Sequence, residues 1–222
     1  MKKWLALILM AVLTAVCCMA AAEVSVGDFI PFGHYEQDND QSNGPEPIEW
    51  RVLAVENGEA LCVSRYSLDS MPYYAPGRTK ASWEKSTIRQ WLNSDFLNAA
   101  FSEAEQKALI TRERFTRYEK KKTTDTVYLL ANEDAKQYFA NHEDRRCEPT
   151  AYAIANGANI STKYQGKAHW WLRNPSWEFW NKASFVAAGG GVVTCGENSG
   201  FVEAKGFCVR PAISLNLTEA GF

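Results

Sequence analysis

Four of the eight tryptophans in this 222-residue chain fall in one short stretch, GKAHWWLRNPSWEFWN, residues 166–181. Trp170 and Trp171 are adjacent, and neighbours on a strand point to opposite faces. Both can be buried only if that strand lies between packed layers, with Leu172 on the side of Trp170. The second half of the stretch differs. Asn174-Pro175 opens a loop, and Trp177, Phe179 and Trp180 alternate with Ser176, Glu178, Asn181 and Lys182. Flat rings beside amide and carboxylate groups suit stacking on a sugar or anchoring a protein partner. The stretch therefore reads as core at Trp171 and as surface from Trp177 onward.

Elsewhere the periodicities alternate between strand and helix. In IEWRVLAVENGEALCVSRY, Ile48, Trp50, Val52 and Ala54 alternate with polar residues, and Asn57-Gly58 suits a two-residue hairpin turn. Before it, DFIPFGHYEQ is a short strand and DNDQSNGPEP a loop. In STIRQWLNSDFLNAAF, Ile88, Trp91, Leu92, Phe96 and Leu97 share a helical face. Ser102 and Glu105 form a capping box for a second helix. TVYLLA is a buried strand, Asn132 is placed to cap a helix, and Pro149 opens another that stops near Asn156-Gly157. The last third is strand-rich, with AAGGGVV as a hairpin turn. Strands at both ends and helices between them give an α+β class with its terminal strands adjacent. Arg173 and Arg210 sit among apolar neighbours and would need a carboxylate if buried; Glu49 and Glu36 are the candidates.

Lys2 and Lys3 precede an apolar run, Trp4 to Val16, and Ala20-Ala21-Ala22 supplies a cleavage site. This is the pattern of a secretory signal peptide over residues 1–22, leaving 23–222 as a single domain. The run is shorter than the roughly 20 residues that a spanning helix needs. Cys17 and Cys18 raise lipid attachment, but Val16 stands where a small residue is expected. The expectation is an extracytoplasmic protein, secreted or cell-surface associated, that meets a membrane only through the transient signal peptide.

The formal net charge is −2, and loss of Lys2 and Lys3 makes it more negative. That balance argues against a nucleic-acid partner. The basic run RERFTRYEKKK, residues 112–122, reads as a solvated loop. Cys62, Cys147, Cys195 and Cys208 remain after cleavage, and their three complete pairings stay open. Cys195 and Cys208, on late strands, are the pair to test first. No zinc spacing is present. Asp38, Asp40, Ser42 and Glu49 approach the spacing of a calcium loop. Against that, Gly44 is one place late, Pro45 and Pro47 intrude, and strands flank the segment. No metal and no cofactor is expected. His34, His142 and His169 lie in no nucleophile motif, so no catalytic residue is assigned.

Seven segments then stand in order: FGHYEQDND, EPIEWRVL, IRQWLNSDFLNAAFSEAEQ, TTDTVYLLANEDAKQYF, RRCEPTAYA, WWLRNP and VRPAISLNL. Together they resemble the bacterial family called domain of unknown function 6273, over about Val26 to Leu217. The late WWLR and VRPA strands carry a more distant similarity to the C-type-lectin-like fold, shared by lectins, phage receptor-binding proteins and formylglycine-generating enzymes. The resemblance implies a C-type-lectin-like α+β fold, mostly antiparallel strands with a few short helices mid-chain, and supplies no chemistry. The calcium tripeptides of lectins are not seen. Cys195 and Cys208 do not reproduce the copper-binding cysteine pair of the enzyme with this fold. The expected function is non-catalytic recognition of a glycan or an extracellular protein. Its contacts are Trp177, Phe179, Trp180 and Asn181, helped by the Glu197-Asn198 turn. The alternatives are a formylglycine-generating-type oxidase relative and a structural surface module.

Overall fold

The computed structural model describes residues 23–75, 80–194 and 200–222. The signal-peptide reading of residues 1–22, with Cys17 and Cys18, therefore lies outside the described residues, as do Cys195, Glu197 and Asn198. The chain opens with strands β1 (Phe29–Tyr35), β2 (Glu46–Glu56), β3 (Glu59–Ser64) and the short β4 (Asp69–Ser70). Helix α1 (Thr87–Trp91) runs through a π turn (Leu92–Phe96) into α2 (Leu97–Ala100), and α3 (Glu103–Ala108) follows. A hairpin of β5 (Arg112–Thr116) and β6 (Lys121–Asp125) leads to β7 (Val127–Tyr128). Three short helices come next: α4 (Asn132–Gln137), α5 (His142–Arg145) and α6 (Ala151–Ala155). The last third holds β8 (Trp170–Pro175), β9 (Lys182–Val186), β10 (Val192–Val193), β11 (Gly200–Phe201), β12 (Cys208–Val209) and β13 (Ala212–Asn216).

Among the described residues these strands make a five-stranded sheet in the order β1-β2-β3-β13-β7 and a six-stranded sheet in the order β10-β9-β8-β12-β4, with β11 on β9. Pairing is antiparallel except between β12 and β8. The protein is thus α+β, with mostly antiparallel strands and a few short helices. The last strand, β13, joins the first hairpin by pairing with β3.

Local chemistry explains most boundaries. Asn57 and Gly58 both adopt positive φ, 52° and 76°, which the tight β2–β3 turn requires. Ile48, Trp50 and Val52 are buried, but a bulge between Val52 and Ala54 breaks the alternation, so Leu53 is buried and Ala54 only half-buried. In the helical stretch the buried positions are Ile88, Leu92, Phe96 and Ala100, a strict four-residue repeat. At 3.6 residues per turn such a repeat drifts around an α-helix. The extra residue of the π turn takes the drift back. Trp91, expected on the buried face, is instead half-buried at its edge, against Tyr35 and Phe96. The Ser102–Glu105 capping box is present at α3.

Three further expectations are corrected. Residues 112–122 form the solvent-facing β5–β6 hairpin rather than a loop. Asn132 is the first helical residue of α4, and the Asp134 carboxylate, not Asn132, accepts the N-cap amide of Ala131 at 2.7 Å. The buried arginines use neither Glu49 nor Glu36. Arg210 donates to the Ser64 and Arg65 carbonyls and lies over the Phe139 and Trp170 rings. Arg173 donates to the Leu129 carbonyl and lies 3.9 Å from Asp134. Carbonyls and ring faces thus replace the carboxylate partner at Arg210, while Arg173 keeps one, Asp134.

Trp170 and Trp171 are both fully buried, on opposite sides of β8. The Trp170 indole N–H donates to the Arg145 carbonyl at 3.1 Å. Trp171 donates to the Met71 carbonyl at 3.0 Å and stacks on Phe207 at 4.1 Å between ring centroids. Tyr73 and Phe185 meet the Trp171 ring edge-on. Each indole buries its apolar body while its one donor is satisfied, as interior tryptophan requires.

Candidate functional site

The loop between β8 and β9 is clipped at both ends. The Ser176 amide donates to the Lys182 carbonyl at 2.8 Å, and the Lys182 amide donates to Phe179 at 3.3 Å. The Ser176 hydroxyl accepts from the Glu178 and Phe179 amides, a local turn that fixes the chain after Pro175. Two other segments hold the loop from outside: the Ala81 amide donates to Trp180, and the Val202 amide to Asn181. Trp177 and Trp180 nevertheless stand out from the surface, 59% and 51% exposed. A rigid loop that presents two large rings to water leaves apolar area available for binding.

The sequence-derived candidates do not all behave alike. Phe179 is half-buried, and its ring lies 4.6 Å from the Lys182 ammonium. Phe201, on β11, approaches the same ammonium from another side, also at 4.6 Å, and is 50% exposed. Phe179 thus holds a buried lysine in place and supports the loop. Asn181 is half-buried, with its carbonyl accepting the Val202 amide just after β11.

Trp177 forms one wall of a cleft of about 420 Å³. Tyr74 and Tyr118 supply further aromatic lining, Lys80, Lys85, Lys121 and Glu119 the charges, and Ser82 and Ser176 hydroxyls. The size lies within the roughly 300–1,000 Å³ typical of small-ligand sites. Trp180 stands outside the cleft. The walls come from the β4–α1 connection, the β5–β6 hairpin and the β8–β9 loop, which only the fold brings together.

A buried carboxylate fastens two of these walls. Asp125, at the end of β6, is fully buried. It accepts from the Trp83 indole at 2.9 Å, the Thr123 hydroxyl at 2.7 Å and Arg89 Nε at 2.5 Å. Arg89 also donates to the Glu84 and Thr124 carbonyls, so α1, the segment before it and β6 share one network. Glu119 accepts the Trp83 amide at 2.9 Å, and Lys121 pairs with Glu84. The aromatic cleft therefore rests on a satisfied polar network.

Other polar clusters have local work to do. Carboxylate oxygens of Glu36, Asp38 and Glu46 lie within 4.8 Å of one another. Those of Asp38 and Glu46 accept hydrogen bonds from their own loop, at the Gln37 and Asp40 amides and the Asn43 side chain. Asp40 accepts from Ser42. A smaller cleft of about 190 Å³ beside Arg114 is flanked by the Arg112–Glu59 ion pair. His169 accepts the Ala188 amide through Nδ1, and burial lowers its pKa. Cys208 is a free buried thiol whose pKa burial pushes up.

Sequence reasoning missed Tyr74, Lys80, Lys85, Tyr118 and Lys121 as site residues. The basic run 112–122 was visible, but nothing in its pattern shows that it faces a tryptophan loop nearly sixty residues later. The architecture is that of an α+β protein with an aromatic, lysine-edged cleft. A family model described as Domain of unknown function (DUF6273) matches residues 57–217, most of the chain, and the protein belongs to that family. The match leaves out β1 and β2, which the wider sequence resemblance had included. Neither curated proteins nor solved structures give a match. Among the described residues no helix is long and apolar enough to cross a membrane.

Proposed function

We propose that this protein is a non-catalytic recognition module of C-type-lectin-like fold, acting outside the cytoplasm and binding a glycan at the β8–β9 loop. The observation that carries the reading is the exposure of Trp177 and Trp180 on a loop that four backbone hydrogen bonds hold rigid. Trp177 faces a cleft whose other aromatic walls are Tyr74 and Tyr118. Ring faces stack on the apolar face of a pyranose, while Ser82, Ser176 and the lysines offer hydrogen bonds to its hydroxyls. Concavity favours a saccharide over a protein partner, which flat exposed rings alone would serve equally well. The Lys2–Ala22 segment supports export, and the strand-rich last third supports the lectin-like fold.

A glycan array probed with residues 23–222 tests the reading. Binding to saccharides that disappears in a Trp177→Ala variant supports it. Saccharide binding unchanged by that substitution contradicts the site. Capture of a protein ligand by Trp177 and Trp180, with no saccharide bound, would replace the glycan with a protein partner.

A further inference from the structure

The charge of the cleft narrows the class of saccharide. Three lysines line it, Lys80, Lys85 and Lys121, against one carboxylate, Glu119. The chain as a whole is negative, with a formal net charge of −2, so this is a local reversal of sign. The one acid in the lining, Glu119, accepts the Trp83 amide and keeps its charge, so the lysines outnumber it three to one. Lys121 is held by Glu84. Lys80 and Lys85 are exposed and form no ion pair among the described residues. With Glu84 and Glu119 both counted against the three lysines, the cleft keeps an excess of positive charge beside an aromatic wall, which attracts a negative group and leaves the ring free to stack.

Resting on the saccharide reading of this cleft, we infer that its ligand is an anionic sugar, one whose ring stacks on Trp177 while a carboxylate or sulfate meets Lys80 and Lys85. A lysine ammonium is a compact point charge on a flexible stem, so either anion is accommodated. The excess positive charge is expected to give a preference over the matching neutral sugar of about tenfold at low salt, shrinking as salt screens the contact.

The test uses three hexasaccharides, one of galacturonic acid, its carboxyl-reduced neutral counterpart, and one sulfated. Affinities are measured for residues 23–222, for Lys80→Gln/Lys85→Gln and for Trp177→Ala, at low salt and at about 0.5 M salt. The expected result is tighter binding of at least one acidic ligand, with the two acidic ligands separating carboxylate from sulfate. The lysine variant should lose that preference, its affinities for acidic and neutral ligands becoming equal, at an unchanged melting temperature, while Trp177→Ala should weaken all three. Equal affinity for acidic and neutral ligands, or a lysine variant with its preference intact, overturns the charge inference and leaves the saccharide reading standing. Binding of none of the three by the parent protein overturns both.

Discussion

Trp171→Ala should remove a large packing contribution at the root of the β8–β9 loop. The side chain is fully buried, stacked on Phe207 at 4.1 Å and bonded through Nε1 to the Met71 carbonyl. A buried aromatic removes roughly 150–250 Å² from water, which at about 25 cal/mol per Å² gives an upper bound of roughly 4–6 kcal/mol. Measured truncations of this kind cost about 3–5 kcal/mol, and we expect about 4 here, since the Met71 carbonyl also loses its donor. Gly200 sharpens the test. A Cβ at Gly200 would lie 2.6 Å from Trp171 Cζ3 and 2.7 Å from Cη2. Gly200→Ala alone should therefore cost about 1–3 kcal/mol by overpacking. In the Trp171→Ala background the same methyl group enters the space the ring has left, and its cost should fall below about 0.5 kcal/mol. Urea unfolding of the four proteins, followed by circular dichroism, gives the cycle. A Trp171→Ala loss below about 1.5 kcal/mol, or additive effects in the double variant, would refute this account of the core.

Asp125→Ala should cost about 3–5 kcal/mol, because it strands the Arg89 guanidinium and the Trp83 indole that the buried carboxylate now satisfies; equilibrium unfolding checks it. The Asp144 carboxyl gives an acid signature. Burial pushes its pKa up, but hydrogen bonds from Arg51 and the Ala140 amide outweigh this and hold it below the ordinary aspartate value. The pair's stabilisation is therefore present above the unfolded pKa of about 3.9 and lost as pH falls through the lower folded value. Asp144→Asn should flatten that acid limb in urea midpoints taken from about pH 5 downward, and an unchanged limb would contradict it.

The sequence is most legible where one local pattern governs. Asn57-Gly58 gives a turn because both residues take positive φ, and Ser102–Glu105 caps a helix by two bonds within four residues. The split of the tryptophan stretch was legible from local pattern too, since the apolar run at Trp170–Leu172 suits a strand packed on both faces and the polar residues around Trp177 mark a loop. Tertiary packing decided the rest. Trp91 lost its buried place to the π turn, which no propensity signals. Arg210 found ring faces and carbonyls from segments distant in sequence. Phe179 lies beside Lys182, a contact that no sequence pattern signals. The cleft itself was invisible, because Tyr74, Tyr118 and Trp177 come from three separate segments that no periodicity links.

The central claim is that Trp177 and Trp180 serve binding rather than stability. A Trp177→Ala/Trp180→Ala double variant separates the two, when its thermal unfolding and saccharide binding are measured on the same sample. Since both rings are more than half exposed, the melting temperature should stay within about 2 °C of the parent while saccharide binding is abolished. A strongly lowered melting temperature, or binding retained at parental affinity, would contradict the account.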